Sequence, residues 1–150
     1  MKIPIQSEEV EKLFIALGSD PREVLVEGEK LLYRGEENRN GNYLMLLNVL
    51  GAAELSLGNF QEAHNYIDRG LKIDNNPHLL HTRASILLKQ GLPDEALKSI
   101  ERCILLAGDQ PDFYMTQASI LLALDMWEEV ETTIAILGKS ESLESHCLFL

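Results

Sequence analysis

His78 and His81 stand three residues apart, a spacing that puts both imidazoles on one helix face, where they share a metal ion if a third ligand joins them. No carboxylate or thiol lies at a matching spacing, so the pair reads as solvated or groove-lining and no metal is expected. Cys103 reads as a core side chain rather than a nucleophile. The acid clusters Ser7-Glu8-Glu9, Glu36-Glu37 and Glu128-Glu129-Glu131 fall at helix starts or in a linker, where solvated carboxylates offset the helix dipole. The glycines are dispersed, so no phosphate-cradling loop forms. Cys147-Leu148-Phe149-Leu150 matches a prenylation pattern but lacks the polybasic second signal that stable anchoring needs. With no catalytic residue and no cofactor expected, the chain reads as a non-enzyme.

Composition points the same way. The 150 residues fit one domain, and 45% hydrophobic content suffices for a packed core. Thirteen Lys and Arg against 24 Asp and Glu give a net charge of -11, a field that repels nucleic acid and favours basic or apolar protein segments. Two cysteines make no disulfide framework, and no stretch reads as a secretory leader or membrane span. A cytoplasmic protein without membrane association is the expectation.

The elements that must position any site recur at a fixed interval. Gly58, Gly91 and Asp125 lie 33 and 34 residues apart; Ala63, Ala96 and Val130 repeat at the same intervals, as do Ile67, Ile100 and Ile134. Pro77 and Pro111 each open a unit, where a missing N–H costs nothing. The registers predict units at 44–76, 77–110 and 111–140, each a helix, a turn and a helix, with apolar stripes such as Leu47, Leu50, Gly51 and Leu55 at helical spacing. Residues 7–36 read as a helix pair out of register with the repeats, split at Gly18-Ser19-Asp20-Pro21, and 141–150 as the start of a capping or further helix. The expected fold is all-α, one superhelical solenoid domain of about three repeats plus the N-terminal pair.

On Leu47, Leu50-Gly51, Gly58-Asn59-Phe60, Glu62-Ala63, Ile67 and Gly70-Leu71, then Leu80, Ala84, Leu87, Gly91, Glu95-Ala96, Ile100 and Cys103, the chain resembles tetratricopeptide repeat proteins. A third, degenerate unit carries Tyr114, Ala118, Leu121, Val130 and Ile134, with Asp125 in place of the turn glycine and Trp127 in the place of Phe60. The resemblance implies that first helices line a concave groove. Its inward positions would be Met45, Asn48, Val49, Ala52 and Leu55; His78, His81, Thr82, Ser85 and Leu88; and Asp112, Met115, Thr116, Ser119 and Leu122. The leucines read as inter-helix contacts, and the remainder as a partner-binding groove. Only Asn48 matches the polar residues by which some members clamp a terminal carboxylate, so that mode is disfavoured.

The resemblance thus implies an adaptor, assembly factor or chaperone that holds an apolar or basic peptide or helix. In layout the chain is also similar to the class II chaperones of type III secretion, which hold translocator subunits. A structural or oligomerisation fragment of a longer array, and a homodimer, are the alternatives.

Overall fold

In the computed structural model, residues 3–108 and 110–147 are described, with side chains as far as 139. They form eight helices and no strand: α1 (Ser7–Ala16), α2 (Pro21–Gly35), α3 (Gly41–Ser56), α4 (Phe60–Leu71), α5 (Pro77–Lys89), α6 (Pro93–Ala107), α7 (Pro111–Ala123) and α8 (Trp127–Cys147).

The helix ends follow from local chemistry. Proline is the first residue of α2, α5, α6 and α7. Asp20 accepts hydrogen bonds from the backbone N–H of Arg22 and Glu23, Asn40 from Tyr43, and Asn76 from His78. Each satisfies donors that the first turn leaves free. Ser7 is the first helical residue of α1; Gln6 holds the cap position, and its N–H donates to Glu9 at 3.0 Å.

The turns from α3 to α4, α5 to α6 and α7 to α8 close alike. Gly58 and Gly91 adopt φ of +77° and +79°, and the next N–H donates back five residues, Asn59 to the Glu54 carbonyl and Leu92 to that of Leu87, each at 2.9 Å. Asp125 makes the same turn without glycine, at φ +57°, with Met126 N–H donating to the Leu121 carbonyl at 3.0 Å. The short polar side chain of aspartate makes the left-handed conformation accessible.

Each helix packs on its neighbours in sequence, and α1, α3, α5 and α7 also pack successively on one another. The even-numbered helices make no such contacts among themselves within the described residues. The odd layer is therefore drawn together and the even layer splayed, which curves the stack with α1, α3, α5 and α7 on the concave side. Buried residues run through it in three clusters, centred on Tyr43, Leu46 and Leu50, on Ile67, Leu79 and Ile86, and on Ile100, Phe113 and Ile120. Small residues permit the close approaches: a Cβ on Gly51 would lie 2.6 Å from Ile67 Cδ1, and one on Gly70 would lie 2.7 Å from Leu79 Cδ1.

Four expectations change. First, α2 is not out of register. Its buried Gly28, Leu32 and Gly35 repeat the spacing of Ala63, Ile67 and Gly70 in α4 and of Ala96, Ile100 and Cys103 in α6. The interval from α2 to α4 is 35 residues, longer than the 33 or 34 of the other repeats, which hid the match. Second, α3 begins at Gly41, three residues ahead of the expected start, because Asn40 caps it. Third, α8 continues unbroken to Cys147, so 141–147 prolong it and open no new helix; residues 148–150, with most of the tail pattern, lie outside the described residues. Fourth, Ile134 is 56% exposed although Ile67 and Ile100 are fully buried. Those two are covered by residues of the following odd helix, and no described helix follows α8.

Candidate functional site

A hollow of about 610 Å³ opens on the concave side, between α1, α3, α5 and the start of α7. Eight of the twelve groove residues expected from sequence line it: Met45, Asn48, Val49, Ala52, His78, His81, Thr82 and Asp112. Four do not. Thr116 lies behind His81 as its hydrogen-bond partner, Ser85 and Ser119 donate to carbonyls of their own helices, and Met115 is 58% exposed along α7. Of the three leucines read as inter-helix contacts, Leu55 and Leu88 pack partly buried against the core, whereas Leu122 is 43% exposed.

One wall was missed in the sequence. Ser7, Val10, Glu11 and Phe14 of α1 line the hollow, together with Asn42, Gln110 and Phe113. In α1, Val10 and Leu13 turn into the core while Phe14, read as part of the same stripe, stays 64% exposed at the rim. The signal was a stripe wider than the buried face needed.

The polar groups of the floor are fixed before any ligand arrives. Thr82 donates to Asn48 Oδ1 at 2.5 Å across α5 and α3. His81 Nε2 lies 2.7 Å from Thr116 Oγ1, and its ring packs 5.0 Å from that of Phe113. His78 meets the same phenyl ring edge-on at 5.8 Å. Both histidines thus share an aromatic partner. Among the described residues, no group of three or more His, Cys, Asp or Glu side chains is placed to hold a metal. Burial pushes the His81 pKa down, with the Asp112 charge opposing and His78 adding to the shift, so the ring is neutral near pH 7.

The other residues with chemical potential are accounted for elsewhere. Cys103 is buried in α6 and donates to the Pro77 carbonyl at 3.1 Å; burial pushes its thiol up to about 11, so it is not a ready nucleophile. Trp127 is 61% exposed at the start of α8 rather than packed into the turn. No helix among the described residues is long and apolar enough to cross a membrane.

Residues 77–110 match the family model for the tetratricopeptide repeat. No curated protein matches the chain. Two solved structures are similar in fold. One crystal structure of MamA protein superposes with a TM-score of 0.68 at 13% identity, over 91% of this chain and 75% of that one. A second crystal structure of MamA gives 0.71 at 13% identity, over 93% and 83%. The chain is a tetratricopeptide-like α-α solenoid, with its second full repeat, α5 and α6, carrying the family's own pattern.

Proposed function

We propose that the chain is a protein-interaction module, an adaptor, assembly factor or chaperone, that holds a segment of another polypeptide in the concave hollow. The observation that carries this reading is the lining itself. Phe14, Met45, Val49, Ala52 and Phe113 offer apolar surface, adaptable at the methionine, and Asn42, Asn48, Thr82 and His81 supply polar groups for an extended or helical backbone. Glu11 and Asp112 are the acidic groups of the lining, and no Lys or Arg stands among its residues. A segment with apolar anchors and one or two Lys or Arg residues fits that arrangement.

The test is co-purification of a stoichiometric client, followed by titration of its segment against Phe14→Glu and Asp112→Lys. Both positions are exposed, so the fold tolerates the changes. Each variant weakens binding by about tenfold, the effect of losing one anchor of about 1.4 kcal/mol. Unchanged affinity in both moves the client to another surface. Self-association in sedimentation with no client supports the alternative, a structural part of a longer array.

A further inference from the structure

The splay of the even helices leaves clefts on the convex side, and the one between α4 and α6 reverses the charge of the molecule. Two adjoining hollows of about 440 and 450 Å³ share Leu80, Arg83 and Arg102; Lys98 lines the first and Lys72 the second. Four of the chain's 13 Lys and Arg residues thus meet in one cleft, against two acids, Asp68 and Glu95.

Three cations elsewhere are held in close ion pairs. Lys30 pairs with Glu27 at 2.8 Å, and Arg34 and Arg69 pair closely with Glu9 and Glu36. In the cleft the one ion pair is loose, Arg83 to Asp68 at 3.7 Å, and among the described residues Lys72, Lys98 and Arg102 pair with no carboxylate. Clustered like charges repel, so the fold gains nothing from this arrangement.

Nor does the repeat require it. The equivalent cleft between α6 and α8 is lined by Gln117, Thr132 and Ile136 at the positions of Arg83, Lys98 and Arg102, 34 residues on. Packing is served equally well by neutral side chains.

We propose that this convex cleft is a second docking site, for an acidic peptide segment with several Asp or Glu residues. Carboxylates meet Arg83, Lys98, Arg102 and Lys72 along the cleft, where Leu71 is half-buried and Leu80 and Leu87 are buried in the floor. Four cations spread over two adjoining hollows favour a peptide with several carboxylates over a compact phosphate. The opposite charge preference also separates this face from the concave one.

The probe is a fluorescein-labelled decapeptide alternating glutamate and leucine, followed by fluorescence anisotropy at low and high salt. The expected result is saturable binding that weakens with salt, and a loss of about tenfold or more in the double variant Arg83→Gln with Lys98→Thr, which removes two of the four cations that hold the carboxylates. That variant copies side chains the same fold already holds at Gln117 and Thr132, and circular dichroism checks its helicity. Absence of saturable binding, or equal affinity in the double variant, overturns the proposal. So does a phosphoserine peptide bound through Arg83 and Lys98 when the glutamate peptide is not, which reassigns the cleft to phosphate. Loss of glutamate-peptide binding in Phe14→Glu with retention in the double variant places that peptide on the concave face, and likewise overturns it. Failure of the concave client reading alone touches none of these outcomes.

Discussion

His81 carries a testable consequence of its own. Its folded pKa lies below the ordinary value because burial disfavours the charged ring, whereas in the unfolded chain it titrates near 6.5. The unfolded state therefore binds the proton first as pH falls, and stability that is complete above the unfolded pKa is lost as pH drops from there through the folded one. Urea denaturation between pH 8 and 5 is expected to show a decline in wild type that is smaller in His81→Gln. Identical pH profiles would mean that His81 titrates freely. Asp125 illustrates a different residue-scale point: a left-handed turn that glycine makes at positions 58 and 91 is made here by aspartate, with the same closing hydrogen bond.

At the scale of the element, what decides a repeated position is whether a following helix covers it. Ile100 and Ile134 occupy equivalent places in α6 and α8, yet the first is fully buried by its neighbours and the second is 56% exposed. Ile100→Ala is expected to cost about 3 kcal/mol, through lost burial and the cavity left behind, and Ile134→Ala less than about 1 kcal/mol. The pair is compared by chemical denaturation. Equal costs would show that something covers the last helix in solution. The same logic explains α2, whose Gly28 admits Leu50 of α3 as Gly70 admits Leu79 of α5, while Gly35 gives room first to Ile5 and then to Tyr43.

For the whole molecule, stability is the sum of stacked interfaces rather than the property of one central core. α3 packs on α1, α2, α4 and α5, and α5 on α3, α4, α6 and α7, whereas α8 packs on α7 alone among the described elements. Hydrogen exchange followed by mass spectrometry is expected to find α3 and α5 slowest and α8 fastest, by about tenfold or more, because local opening tracks the contacts that must break. Uniform protection would contradict a repeat-by-repeat stack. Curvature belongs to this scale too: contact between the odd helices creates the concave hollow, and its absence between the even ones opens the convex clefts.

The sequence by itself determined the order of the helices, the turns between them within each repeat and the 33 or 34 residue interval, because these follow from local signals: proline at first turns, glycine at left-handed turns and apolar residues at helical spacing. Eight residues of the hollow came from the resemblance to tetratricopeptide repeats, which implies which positions of a first helix face inward. Only the tertiary structure decided that α1 forms a wall with Phe14 at its rim, that α2 shares the repeat's packing, and that Ile134 lies open. It alone joined Lys72, Arg83, Lys98 and Arg102, which are scattered over three helical segments and resemble ordinary solvated charges in the linear chain. The physical reason is that spacing along a helix specifies direction from its axis, whereas what waits in that direction depends on how the neighbouring helices stack.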